Sequence, residues 1–447
     1  MKITRNLLNR VEGEVELKLI WENGVVKDAF ICAPNYRGFE KILEGRPYLD
    51  ALAITPRVCG ICGHAHLIAT SRAIEDAYRK AGIDIKLSQK AKAIRSVTLL
   101  SEIVQNHIRW FYLYLLPDVI KLKPSLRELY EPLKGTSWNK ALEMSNKIIK
   151  VIALFGGQWP HTSYSLPGGV MCDPTGVEIN QAVYLVNELI DFFEKNVLEM
   201  SKDRYLSIRG KDYINEVGGD IARFIELCLE SGLDRAGRSY GRFLAGGGIE
   251  PCFLGGTYTK RVCKFDVKKV RELEDYSFFS GNGKGYTWAK AVRYQGLPYE
   301  TGPLARQIVS RNSVIRYLFK EYGDSTMVRV IARIDEAFRL LLNIRETLLN
   351  IDLKEVSWIK PNVDHHTFNG SGIGVIEAAR GTLIHQIDIK NGRIKSYNII
   401  TPTVWNLGPR DDANLGVVEK AIIGLDSELK AHIVLRSFDV CSVCTSH

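Results

Sequence analysis

Apolar and polar positions alternate over the first 35 residues. The stretch "EVELKLIWENGVVKDAFI", Glu14 to Ile31, predicts two strands joined by a turn at Asn23-Gly24. From about residue 65 to 235 the spacing of apolar residues changes to three and four, which is the helical period. It runs through "SRAIEDAYRKAG", "AKAIRSVTLLSEIVQNHIRWFYLYLL" and "INQAVYLVNELIDFFEKNVLEM", and helices of this kind bury their apolar faces as a bundle. Residues 236–310 are rich in Gly, Pro and aromatics and read as loops with short strands. Helical spacing returns over 311–360, most clearly in "TMVRVIARIDEAFRLLLNIRETLLNI". Residues 370–400 read as strands turning at Asn391-Gly392, and a last helix is expected over about 415–431. The pattern predicts an α+β fold, mainly α. A central helical bundle lies between β-rich N-terminal and C-terminal portions, and residues 1–447 form a single compact unit. "GSGIGV", starting at Gly370, does not complete a dinucleotide loop, because Val375 stands where the third glycine belongs. It reads as a tight turn before a strand.

Composition adds mostly exclusions. A hydrophobic content of 45% with 25% charged residues suits a globular chain. The net charge of +9 is spread along the sequence, which describes a solvated basic surface and not a nucleic-acid face. No apolar stretch is long enough to span a bilayer. The start, "MKITRNLLNRVEGEVELKL", lacks the apolar core of a signal peptide, so a cytoplasmic location is expected, with any membrane association made through a partner.

The cysteines change the picture. There are nine, an odd number that cannot all pair within the chain. Cys32, Cys172, Cys228, Cys252 and Cys263 are scattered and suit buried small hydrophobes. The other four form two Cys-x-x-Cys pairs, Cys59/Cys62 in "RVCGICGHAH" and Cys441/Cys444 in "SFDVCSVCTSH". Four thiolates suit zinc, iron–sulfur or a nickel–iron site. Zinc ribbons keep their pairs within a few tens of residues, whereas these lie at opposite ends of the chain. A metal held by both would tie the first helix to the C-terminus. His66 and His447 follow their pairs at four and three residues, within one helical turn. There they could support a thiolate or hold another ion. His64 has no such support and reads as incidental.

These residues carry a resemblance. Arg-x-Cys-Gly-x-Cys-x-x-x-His near the start, with Cys-x-x-Cys-x-x-His at the end, resembles the large subunit of a nickel–iron hydrogenase. "RVEGE" at 10–14, "RGFE" at 37–40, "PHTSYSLPGGV" at 160–170, "YTWAKAVRYQGLPYETGPLAR" at 286–306, "EAARG" at 377–381 and "TPTVWNLGPRD" at 401–411 fall in the family's order. The resemblance implies a nickel–iron hydrogenase large-subunit fold and an oxidoreductase that cleaves dihydrogen heterolytically, reversibly in principle. Cys59 and Cys441 would be terminal nickel ligands, with Cys62 and Cys444 bridging to an iron that carries carbon monoxide and cyanide. Cys441 would accept the proton, Arg380 would shape the local field, and Glu12 would be the first carboxylate of the proton relay. Glu40, the backbone carbonyl of Ile399 and His447 would hold a second metal, magnesium.

No cysteine remains in an iron–sulfur pattern, so an iron–sulfur small subunit is expected as an obligate partner, with H2 as substrate. A maturation endopeptidase would act transiently, cutting just beyond His447. No nucleic acid is expected as a partner, and no direct membrane span.

The chain also departs from the family pattern. Val440 and Ala379 replace prolines, Asn106 stands where an aspartate is common, and Trp110 where a histidine is frequent. These departures point to a divergent branch, cytosolic uptake-like or sensory-like. Ile61 and Tyr114 fall where smaller residues often line the gas channel, so a narrowed channel is expected. The alternative to an uptake enzyme is a hydrogen-sensing subunit with slow turnover. A quinone-reductase core subunit would lack the four cysteines, and a structural zinc protein would not carry the other motifs.

Overall fold

A computed structural model describes residues 2–249 and 252–445. Three antiparallel strands open the chain: β1 (Lys2–Leu7), β2 (Glu16–Glu22) and β3 (Val25–Cys32), paired in that order. Asn23 and Gly24 both take positive φ, at 50° and 80°, as a tight two-residue hairpin requires. The sequence pattern predicted β2 and β3. It missed β1, which is a mostly exposed edge strand without a clear apolar face.

Five long helices follow: α1 (Gly63–Lys80), α2 (Gln89–Arg109), α3 (Thr136–Gly156), α4 (Gly176–Phe192) and α5 (Thr326–Leu349). Three begin at side-chain caps. Ser88 accepts from the Ala91 N–H, Ser325 accepts from the Val328 N–H, and Thr175 forms a capping box with Glu178. The helices α2, α3, α4 and α5 pack in a closed ring, each against two neighbours, which is the expected bundle. Beyond Arg109 the chain continues through a π-helical turn, Trp110–Leu115. The expected helical stretch 311–360 stops at Leu349, after a shorter helix at Ser313–Tyr322.

A second three-stranded sheet, β4 (Gly370–Ala378), β5 (Gly381–Lys390) and β6 (Arg393–Ile400), lies against α1. Here "GSGIGV" proves to be strand and not turn. Gly372 and Gly374 face the backbone of α1. A Cβ on Gly372 would sit 1.9 Å from the Ala73 carbonyl oxygen, and one on Gly374 would sit 2.0 Å from that of Ala69. The glycines permit a strand–helix approach that no other residue allows. The expected helix over 415–431 is two, Val417–Ile422 and α6 (Glu428–Ser437). Between them the Gly424 N–H donates to the Val26 carbonyl and the Val26 N–H to the Leu425 carbonyl, so the segment pairs with the open edge of β3 instead of continuing as helix.

That pairing sets the position of the chain ends. Leu17, Leu19, Val26 and Ala29 of the N-terminal sheet share one apolar cluster with Val418, Val434, Leu435 and Phe438. The residues just after β1 are thereby laid beside the segment just after α6. The architecture is α+β and mainly α. No described helix is long and apolar enough to cross a membrane.

Candidate metal centre

The two cysteine pairs meet. Cys59, Cys62, Cys441 and Cys444 are 1%, 6%, 0% and 2% exposed. The Sγ atoms of Cys59 and Cys441 are 3.7 Å apart, those of Cys62 and Cys444 3.9 Å, and those of Cys441 and Cys444 3.1 Å. None is bonded as a disulfide. A tetrahedron with metal–sulfur bonds near 2.3 Å has edges of about 3.8 Å, so the 3.7 and 3.9 Å separations fit thiolates gathered on metal, while the Cys441–Cys444 pair lies closer than that edge. The sulfurs of Cys59, Cys441 and Cys444 lie within 4.8 Å of one another, as do the ligand atoms of Cys62, His66 and Cys444.

Three devices bring the pairs together. First, Cys62 is the residue at which α1 starts, and its side chain does not cap that helix. The cap comes from α2: Glu102 accepts from the backbone N–H of His64 at 2.9 Å and of Ala65 at 3.1 Å. This leaves the Cys62 thiol unused by the helix. Second, Arg37 of "RGFE" donates to the carbonyls of both Val58 and Val443, the residues preceding Cys59 and Cys444. Third, the Glu12 carbonyl accepts from Ser442 N–H at 2.9 Å, in a short parallel bridge to Cys441.

The electrostatics call for a cation. Hydrogen bonding from Cys441 holds the Cys59 thiol well below its usual range, while burial holds Cys441 well above it. Thiolates this close and this buried cannot all carry charge unless positive charge lies among them. Arg380 supplies part of it. Burial opposes its charge, but Asp439 and the nearby cysteines keep it firmly protonated. Its Nε donates to the Asp439 carbonyl at 2.8 Å, and Nη2 lies 3.1 Å from the Asp439 carboxylate. The donor set, soft and short of cations, fits a thiolate-bound metal centre.

Glu12 accepts a hydrogen bond from the Tyr114 hydroxyl at 3.2 Å, and Arg109 reaches the same hydroxyl at 3.4 Å. Tyr114 therefore meets a carboxylate at a position expected to line an apolar gas channel. Glu40 accepts from the Ile399 N–H at 2.8 Å, and burial pushes its carboxyl up to about 7. Both residues line a small cavity with Glu272, Lys290 and Thr445. His447, expected as a ligand there, lies outside the described residues. His66 is buried, and its Nδ1 lies 3.0 Å from Nε2 of His385.

Several residues at the site were not singled out by sequence. Asp439 takes a hydrogen bond from Asn106 at 2.7 Å and lies 3.5 Å from Arg333, whose guanidinium stacks 4.1 Å over Trp110. The two departures at 106 and 110 thus belong to one buried arrangement around Asp439. Glu102, Arg37, Glu272 and Lys290 were missed as well. Of these, Arg37, Lys290 and Asp439 lie inside motifs that carry the family resemblance, and that was the available signal.

Comparison with known proteins agrees with this geometry. The pattern of the family described as nickel-dependent hydrogenase matches residues 37–126 and 136–447. The periplasmic [NiFeSe] hydrogenase large subunit of Desulfomicrobium baculatum is 27% identical, covering 100% of this chain and 95% of that one. Sulfhydrogenase 2 subunit alpha of Pyrococcus furiosus is 27% identical, covering 100% and 99%. A chain of the Ni-Fe-Se hydrogenase from D. vulgaris Hildenborough superposes with a TM-score of 0.86 at 26% identity, with all of both chains covered. With the match running through both cysteine pairs, the chain belongs to the nickel-dependent hydrogenase family.

Proposed function

We propose that this chain is the catalytic large subunit of a nickel–iron hydrogenase that oxidises dihydrogen. The observation that carries the reading is the convergence of four buried thiols from the two ends of the chain. Cys59 and Cys441 would hold nickel, with Cys62 and Cys444 bridging to an iron that carries carbon monoxide and cyanide. Bound there, the centre supplies an acceptor for the electron pair of dihydrogen.

The protein's own groups handle the proton. The Cys441 thiolate takes it, since an arginine with a pKa above about 12 is a poor base. Arg380, fixed by Asp439, supplies positive charge beside the thiolate. Glu12 receives the proton next, with its carboxylate oriented by the Tyr114 hydroxyl. Glu40, the Ile399 carbonyl and His447 would hold magnesium, and Glu272 and Lys290 complete the polar wall of that cavity. An iron–sulfur small subunit would take the electrons, and a maturation endopeptidase would act on the precursor. The five cysteines outside the centre form no disulfide, which favours the reducing cytoplasm.

The test is the assembled complex under dihydrogen. It should reduce a viologen dye and contain nickel together with iron, the iron in excess because the iron–sulfur subunit carries its own. Zinc in their place, without dye reduction, would overturn the reading. The same metals with very slow turnover would favour the sensing alternative.

A further inference from the structure

A cavity of about 460 Å³ opens between α1, α2 and β4, well within the range of small-ligand sites. Its position follows from the helix that carries the cysteine motif. Arg72 lies ten residues beyond Cys62 on α1, about 15 Å along the axis. The lining is unbalanced in charge. Arg72, Arg79, Lys92 and Arg95 face one carboxylate, Glu75. Glu75 is already engaged, 2.8 Å from Arg95. Neither Arg79 nor Lys92 is paired with a carboxylate among the described residues.

The deeper cations are built in. Arg95 is 7% exposed, and its Nε is buried without a hydrogen-bond partner among the described residues. Arg72 donates to the carbonyls of Val375 and Gly248. Gly248 has φ of 109°, and a Cβ there would sit 2.7 Å from Nη1 of Arg72, so the loop makes room for the guanidinium. Burial and the like charges of Arg95 and Arg79 pull Arg72 down to about 10. Apolar walls from Leu87, Leu99, Ile249 and Ile376 complete the space. Glu75 balances Arg95, which leaves the half-buried Arg72 without a carboxylate among the described residues. A cation drawn out of water gains from an anion beside it, and the apolar walls ask for more than an inorganic ion.

We propose that this cavity binds an amphiphilic organic anion. A carboxylate or phosphate head would sit among Arg72, Arg79, Lys92 and Arg95, with an apolar body against Leu99, Ile249 and Ile376. A free metabolite or a lipid headgroup with its first methylenes offers the same chemistry.

The test uses the assembled complex and decanoate as probe, followed by calorimetry. Decanoate should bind saturably and more weakly as salt rises, while decyltrimethylammonium should not bind. Arg79→Glu with Lys92→Glu, both at the exposed mouth, should weaken decanoate by about tenfold or more and leave hydrogen uptake unchanged, which also certifies folding. Sedimentation with phosphatidylglycerol vesicles separates the sources. Binding abolished by the same double substitution points to lipid, and absence of vesicle binding with retained decanoate binding points to a free anion. No saturable decanoate binding, equal binding of the cation, or indifference to the double substitution would overturn the proposal.

Discussion

Arg380 and Asp439 are joined twice, through Nε to the backbone carbonyl at 2.8 Å and through Nη2 to the carboxylate at 3.1 Å. Asp439 lies between the end of α6 and Cys441, and Arg380 lies between β4 and β5. The pair therefore fixes the guanidinium beside the thiols from both sides. Asp439→Ala would leave Arg380 and Arg333 as buried cations without their partner. The expected cost is about 3–5 kcal/mol, read as a lowered thermal midpoint of the complex. An unchanged midpoint would show that the ion pair does not hold this region.

Glu12→Gln keeps the size of the side chain and the backbone bridge to Cys441 but removes the titratable group. Hydrogen uptake should fall by about 10²–10⁴-fold with nickel and iron content unchanged. Tyr114→Phe removes only the hydroxyl that orients Glu12, and a loss of less than about tenfold is expected. Equal losses in the two variants would mean that Tyr114 transfers the proton itself.

Gly374→Ala places a methyl group 2.0 Å from a carbonyl oxygen of α1. The strand must then withdraw from the helix that starts at Cys62, costing about 3 kcal/mol. Gly60→Ala, between the first two cysteines, meets nothing within 4 Å and should be tolerated. Comparing the soluble yield and metal content of the two variants separates packing from motif membership.

Much of this arrangement was legible in sequence, and what was missed has a common physical cause. The Asn23-Gly24 and Asn391-Gly392 turns, the bundle helices and the cysteine pairs are local patterns, and local patterns survive without the fold. Glu102 as a cap for α1, Arg37 across Val58 and Val443, and Asp439 under Arg380 are contacts between distant segments, which no spacing rule reports. The helix expected over 415–431 failed for the same reason. Its middle pairs with β3, a segment almost 400 residues earlier, and tertiary pairing overrode helical period.

His107 provides a test by pH. It is buried beside Glu336, with Arg333 and Arg306 nearby, and burial lowers its pKa to about 4. The unfolded value is near 6.5, so the folded state binds the proton less well. Its contribution to stability is present above pH 6.5 and is lost as pH falls toward 4. The thermal midpoint of the complex should decline through that window, and His107→Gln should flatten the decline. A midpoint whose slope is unaffected by the substitution would contradict this assignment.

On the function proposed above, the four thiols hold nickel and iron for dihydrogen chemistry. The most direct measurement is an infrared spectrum of the assembled complex, scanned for metal-bound carbon monoxide and cyanide stretches with and without hydrogen. Nickel and iron on these thiols should give such bands, shifting under hydrogen in the native protein and absent from Cys444→Ser. Metal-loaded native protein without such bands would contradict it and leave Cys59, Cys62, Cys441 and Cys444 as ligands of a different metal.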